Sequence, residues 1–332
     1  MPESSARVYA TSALKRGKAY YDYNDYIISY GEIDNYEISE FLGRGKYSQV
    51  FKGLAKPTRT SCVIKVLRPI REKKINREVK ILKSLLGVKN VIQLLDVVKD
   101  SEANYRALIF PYNDHTETRS LFKLFSYEDI VFYMRKLLET LDEIHSLGIF
   151  HRDLKPHNII INHGRREMSV IDWGLAEYYL PSVEYATRVA SLHFKAPELL
   201  LGNRYYDYSL DIWSAGCILG EMLFTQMPFF NGSTNEDQLE RIVHFSGAQN
   251  LKNYLKKYSL TYSKKHLDKI YAGFPQEETW HSLHTMDGRL PVGSPERRRL
   301  IDLLQRMLTF DHQKRPSAQE CLSHRVFAEK PE

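Results

Sequence analysis

The sequence predicts an α+β fold in two lobes, a small β-rich lobe followed by a larger, mostly helical one. Three observations carry this expectation. From Tyr36 to Phe110 short runs of β-branched and aromatic residues alternate with turn signals. After Pro111 the pattern changes to long stretches of helical periodicity. At 332 residues the chain is long for one core and comfortable for two. The expected organisation is an N-terminal segment, 1–35, packed on the core; a small lobe, 36–110; a hinge, 111–115; and a large lobe, 116–332. A cleft between the lobes is the natural ligand site.

The N-terminal segment carries six tyrosines between Arg7 and Tyr30, with no clear period. Disordered tails are poor in aromatics, so an ordered extension is expected. YEISEFLG, QVFKGL, TSCVIKVL, VIQLLDVV and ALIF read as strands. Between the third and fourth lies RPIREKKINREVKIL, with six basic residues in the thirteen positions from Arg68 to Lys80. It has a helical pattern: Ile75, Val79 and Leu82 would face a core, while Lys73, Arg77 and Lys80 share another face. Glu78 lies beside the apolar stripe, where a carboxylate is costly without a partner. In the second half SYEDIVFYMRKLLETLDEIHSLG, YSLDIWSAGCILGEMLF and SPERRRLIDLLQRML read as helices, the last with Ser294 as N-cap and Pro295 at the first helical position.

An apolar fraction of 43% and a charged fraction of 27% are ordinary for a soluble globular protein. No stretch reads as a transmembrane segment or signal peptide, and no membrane association is expected. The three isolated cysteines argue against a disulfide framework or zinc site and for a reducing compartment, cytoplasmic or nuclear. A net charge of +6 permits polyanion binding without arguing for it.

Four pieces converge on a nucleotide. In LGRGKYSQVF, Gly43 and Gly45 allow a tight hairpin whose backbone N–H groups can approach phosphates; Ser48 stands where a third glycine would complete G-x-G-x-x-G. Lys65, central in the apolar strand VIKV, is expensive to bury alone, and pairing it with Glu78 resolves both difficulties. In HRDLKPHNIIINHGRREMSVIDWG, a hairpin centred near Arg165 would set Asn158 across from Asp172, two oxygen ligands suited to Mg²⁺ bound with phosphates. Asp153 and Lys155 precede that hairpin, a carboxylate to orient a hydroxyl and an ammonium to neutralise a moving phosphoryl group. Finally, Glu198 in KAPE needs a buried cation, with Arg315 the candidate, and Asp211 is expected to hold the HRD loop backbone.

In this order GRGKYSQV, VIK with Glu78, HRDLKPHN, D-W-G and APE resemble a eukaryotic protein kinase from Tyr36 to about Phe327. The tryptophan of Asp172-Trp173-Gly174, with RVYATSALKRGKAYYDY, RVASLHFKAPELL and YDYSLDIWS, narrows the resemblance to the casein kinase II alpha family.

The resemblance implies the bilobal protein kinase fold and serine/threonine phosphotransfer from ATP with Mg²⁺, with GTP as a further donor. Lys65 would bind the α/β-phosphates, Asp153 would be the catalytic base with Lys155 beside it, and Asn158 and Asp172 would hold Mg²⁺. Leu42, Gly43, Arg44, Gly45, Lys46, Tyr47, Ser48 and Val50 would cover the nucleotide, and Val63, Phe110, Ile160 and Ile171 would complete the adenine pocket. Lys73, Lys74, Arg77, Arg188 and Lys195 would read acidic residues downstream of the target. Glu72 and Leu192 depart from basic residues of the family, so acid should be preferred more at the third position after the target than at the first.

The N-terminal segment would brace a constitutively active enzyme, although Tyr178, Tyr179, Tyr185 and Thr187 leave phosphoregulation open. Ile38 and Phe51 match positions that dock a dimer of regulatory beta subunits, while SEANY differs from the family there. The rival readings are a pseudokinase scaffold, a non-acidophilic kinase of a related group and a nucleic-acid binder. The last lacks a matching motif or stacking platform, so no specific nucleic acid is expected.

Overall fold

In the computed structural model, which describes residues 5–45, 47–68, 71–100, 105–224, 226–273 and 283–328, the chain opens with two single helical turns, α1 (Ser12–Lys15) and α2 (Lys18–Tyr21). This segment is ordered and strapped across both lobes. The Ala6 N–H donates to the Tyr179 hydroxyl (2.8 Å), Tyr9 donates to Asp142 (3.0 Å), and Tyr20 donates to the Leu147 carbonyl (3.0 Å). Ala13 is fully buried against Gly148, where φ is 78° and an added Cβ would come within 2.7 Å of the Ala13 nitrogen. Further on, the Gly31 N–H donates to the Val97 carbonyl (2.9 Å), so the strap also covers a sheet edge that would otherwise stand open.

The small lobe is one antiparallel sheet of β1 (Tyr36–Arg44), β2 (Ser48–Ala55), β3 (Thr60–Leu67), β4 (Asp96–Lys99) and β5 (Arg106–Pro111), in the order β1-β2-β3-β5-β4. The helix α3 (Glu72–Ser84) follows β3 and buries Ile75, Val79 and Leu82, as its periodicity predicts. The run VIQLLDVV is a strand only at its end. The Gln93 side chain bonds the Gly87 N–H and the Val88 and Val91 carbonyls, which turns the chain, and Val91 instead bridges Val170 of the large lobe.

The large lobe begins with α4 (Thr118–Phe122) and α5 (Tyr127–Ser146), the latter started by a capping box between Ser126 and Asp129. Short strands follow: β6 (Ile149–Phe150), β7 (Ile159–Asn162), β8 (Glu167–Val170) and β9 (Glu177–Tyr178). After α6 (Pro197–Leu200), α7 (Ser209–Leu223) is buried along its length and packs on α5 and on α11 (Pro295–Met307), which Ser294 caps. Before α11 come α8 (Asn235–Ser246), α9 (Ala248–Lys257) and α10 (Lys264–Gly273); α12 (Ala318–Leu322) packs on α5. The three cysteines are free and buried. Among the described residues no helix is long and apolar enough to cross a membrane.

Two buried carboxylates organise this lobe as their apolar settings predict. Glu198 takes a two-pronged contact from Arg315 (2.9 and 3.1 Å), both side chains fully buried. Asp211 accepts from the backbone N–H groups of His151 (2.8 Å) and Arg152 (2.9 Å) and bonds the His145 ring (3.0 Å). Burial opposes its charge, but these donors prevail and lower its pKa. Arg315→Met should cost about 3–5 kcal/mol by leaving Glu198 charged and unpaired, and pairing it with Glu198→Leu should recover much of that; urea unfolding of the two variants measures both.

Candidate active site

The Lys65 ammonium lies 2.8 Å from Glu78 Oε1 and 2.8 Å from Asp172 Oδ1. β3 presents Lys65 on the sheet face turned to the large lobe, α3 brings Glu78 from behind, and Asp172 follows β8. Burial works against the lysine's charge, yet the two carboxylates outweigh it and raise its pKa. Lys65 in turn holds Asp172 down at about 2, from the ordinary 3.8, against the opposing effect of burial.

The hairpin carrying Asn158 and Asp172 turns half a residue earlier than its sequence suggests. The ladder pairs Ile159 with Val170 and Asn162 with Glu167, so Asn158 stands opposite Ile171, whose N–H donates to its carbonyl (2.9 Å). The cause is in the turn: the Asn162 side chain accepts the Arg165 N–H (3.1 Å), and Arg166 takes a left-handed φ of 54° to close a four-residue loop. Asp172 therefore lies two residues past the end of β8, at a left-handed φ of 59°. Trp173 is buried edge-on against His151, with ring centroids 4.7 Å apart.

On the opposite side of the cleft, Asp153 is held from several directions. Lys155 donates to its Oδ2 (2.8 Å) and to the Ser191 hydroxyl (3.0 Å); the Ser191 N–H and hydroxyl both donate to Oδ1 (2.9 Å each). Asn158 Nδ2 donates to the Asp153 carbonyl (2.8 Å), which fixes the amide with its oxygen turned away from that contact. A cleft of about 430 Å³ is lined by Gly45, Tyr47, Ser48, Lys65, Asp153, Lys155, Asp172 and Arg188.

The turn expected to cover the nucleotide is closed by the Gly45 N–H on the Ser48 carbonyl (2.9 Å), with Leu42, Gly43 and Arg44 at the end of β1; Lys46 lies outside the described residues. Val50 is the cross-strand partner of Lys65, and Val63 that of Phe110, which places all four on one face. Ile160 and Ile171 are half-buried on the β7–β8 hairpin. A hard cation fits this donor set only with added oxygens: Asp172 is ionised and Asn158 offers an amide oxygen, but the described residues contain no group of three or more His, Cys, Asp or Glu that could hold a metal alone.

The basic face of α3 is divided between two tasks. Lys73 lies over the Tyr23 ring (5.6 Å), and Lys80 over Tyr26 (4.5 Å), so both contact the strap. Lys74 lies over Tyr47 (5.1 Å) and lines the cleft. Arg77, expected as a substrate reader, donates to Glu177 (3.0 Å) and to the Gly174 carbonyl (2.9 Å) and is mostly buried. Lys195 likewise donates to Asn235 (2.9 Å), whereas Arg188 is exposed.

The sequence reading missed Glu177. Its carboxylate accepts from Arg77, from the Tyr23 hydroxyl (3.1 Å) and from the Tyr178 N–H (3.0 Å), and pairs with Arg152 (3.5 Å). An acid between apolar residues in GLAEYY was the available signal, of the kind that exposed Glu198 and Asp211. Ser191 carried no comparable signal.

A protein kinase domain model matches residues 36–327, and with this fold and cleft the chain belongs to the protein kinase family. A curated relative, the "Probable casein kinase II subunit alpha homolog" of Encephalitozoon cuniculi, is 46% identical over 322 residues, which cover 97% of this chain and 97% of the relative. The chain is a serine/threonine kinase similar to casein kinase II alpha. Protein kinases use ATP with Mg²⁺.

The depressed pKa of Asp172 gives a pH signature. Its pairing with Lys65 stabilises the fold above about pH 4 and is lost as pH falls toward about 2. The stability deficit of Asp172→Asn relative to the parent should therefore be constant near neutrality and shrink below about pH 4, as read by urea titrations across that range.

Proposed function

We propose that this kinase transfers the γ-phosphoryl group of ATP, and of GTP as a second donor, to Ser or Thr followed by acidic residues, without prior phosphorylation of its own activation segment. The observation that carries the reading is Lys65 held between Glu78 and Asp172. It leaves the phosphate-binding lysine, its orienting glutamate and the cation-binding aspartate already assembled.

MgATP supplies the phosphoryl group and the cation that offsets its charge. The chain's residues bind and orient. Lys65 would contact the α/β-phosphates, Asn158 and Asp172 would hold Mg²⁺, and Leu42, Val50, Val63, Phe110, Ile160 and Ile171 would wall the base. Asp153 orients the target hydroxyl and accepts its proton, while Lys155, fixed between Asp153 and Ser191, neutralises charge on the moving group.

Independence from activation-segment phosphorylation is supported by Glu177. A fixed carboxylate stands among Arg77, Arg152 and Tyr23, where a regulated kinase gathers arginines around a phosphate. Tyr178, Tyr179 and Tyr185 are buried, which makes them poor phosphate acceptors in the folded chain.

Acid reading falls chiefly to Lys74 and Arg188 on the cleft; Arg77 also borders the cleft but is held by Glu177, Lys195 is bonded to Asn235, and the exposed Lys73 lies over the Tyr23 ring. Each exposed pair contributes about 1 kcal/mol or less, so selectivity needs several together. For a regulatory beta-type subunit the supporting feature is the outer sheet face. A separate apolar cluster there carries the half-buried Phe51, which meets the exposed Phe41 edge-on (5.5 Å) beside the exposed Ile38. Residues 101–104 of the SEANY stretch lie outside the described residues.

A peptide with Ser followed by Glu residues should be phosphorylated faster than matched Ala or Pro peptides, and raising salt should narrow the gap. In a series with one Glu at each position, the third position after Ser should matter more than the first. Asp153→Asn should lower kcat by about 10²–10⁴-fold with little change in ATP binding. Deleting residues 1–30 should remove most of the activity, because Tyr23 and the Tyr179 contact leave with it.

A further inference from the structure

The turn between the catalytic aspartate and α6 commits every neighbour of Leu192. Ser191 bonds Asp153 through both its N–H and its hydroxyl. The His193 ring bonds the Gly232 carbonyl (3.1 Å), and the Gln238 amide donates to the His193 carbonyl (3.2 Å). Val189 and Phe194 are buried in the core, and Lys195 is drawn to Asn235. Leu192 itself is half-exposed and lies outside that core.

Its position follows from the same contacts. The target hydroxyl must reach Asp153, which Ser191 touches, and Leu192 is the next residue along the chain. An extended peptide advances about 3.3 Å per residue, so the side chain just after the target reaches this turn. Around it the cations point elsewhere: Lys195 donates to Asn235 at the start of α8, Lys155 to Asp153 and Ser191, and Arg188 lies on the cleft side. An acid at that position gains little from Lys195, whereas an aliphatic side chain can cover the leucine.

We infer that Leu192 is a specificity-determining residue, forming an apolar subsite for the residue directly after the target Ser or Thr, so that this enzyme takes an aliphatic residue there. The inference deepens the acid-directed reading and rests on it for the distal acidic anchor. A substrate would then combine an aliphatic residue at the first position with acid at the third. This departs from an enzyme that reads acid at both.

The test is a peptide series with Leu, Val, Ala, Glu or Lys directly after Ser, on two frames that carry Glu or Ala at the third position. With the parent enzyme, Leu should exceed Glu at the first position by about fivefold in kcat/KM, mostly through KM. Leu192→Ala should erase the advantage of Leu over Ala, and Leu192→Arg should invert the ranking so that Glu leads. Glu ahead of or equal to Leu in the parent, or an unchanged ranking in Leu192→Arg, would overturn the inference. The two frames separate the claims: equal rates with Glu and Ala at the third position would sink the acid-directed reading, while the first-position ranking is still read within each frame.

Discussion

Everything in the cleft depends on one buried cation that cannot be left alone. Lys65 is nearly enclosed between sheet and helix, and an unpaired ammonium there would be driven to neutrality or out to solvent. Glu78 and Asp172 satisfy it, and in doing so they join three separate elements: β3, α3 and the chain after β8. The contact that solves an electrostatic problem in the small lobe therefore also sets the distance between the lobes. Gly174 belongs to the same arrangement, since a Cβ there would come within 3.3 Å of Glu78 Oε2.

A triangle of charges on moving parts needs a brace, and Glu177 anchors it. Arg77 directly precedes Glu78 on α3 and reaches the Glu177 carboxylate and the Gly174 carbonyl, which ties the rotation of the helix to the chain beyond Asp172. Arg152 brings in the HRD loop, itself suspended from Asp211, and Tyr23 brings in the strap. Burial and the neighbouring Glu177 push the Tyr23 hydroxyl up to about 12, so it stays a donor throughout the physiological range. The tyrosines that made the N-terminal segment conspicuous thus supply hydroxyls to carboxylates and rings to the lysines of α3.

Much of this was legible in the sequence, for a uniform reason. Lys65 with Glu78, Glu198 with Arg315, and Asp211 beneath the HRD loop were all charges in apolar surroundings, and such charges announce that a partner exists. Periodicity likewise located α3, α5, α7 and α11, because burial of one face is a local property. What escaped was set by single side chains acting across a turn or over long separations. Asn162 decided the length of the hairpin loop and with it the register of Asn158; Gln93 ended a strand that its apolar residues would have extended. The partner of Arg77 lies one hundred residues away, in a segment with no period to mark it. The resemblance named Lys73, Lys74 and Arg77 of α3 as substrate readers, but position along a helix does not reveal what each side chain meets: Lys73 and Lys74 lie over tyrosine rings and Arg77 is bound to Glu177.

The central claim is that Glu177 does the work of an activating phosphate, so that the Lys65 triangle is complete in the unmodified chain. The most direct measurement is kcat on a Ser peptide before and after exhaustive phosphatase treatment, with the absence of phosphate verified by intact mass. The account predicts the same kcat in both samples. A fall to a tenth or less after treatment would mean that a phosphate, not Glu177, holds the active arrangement.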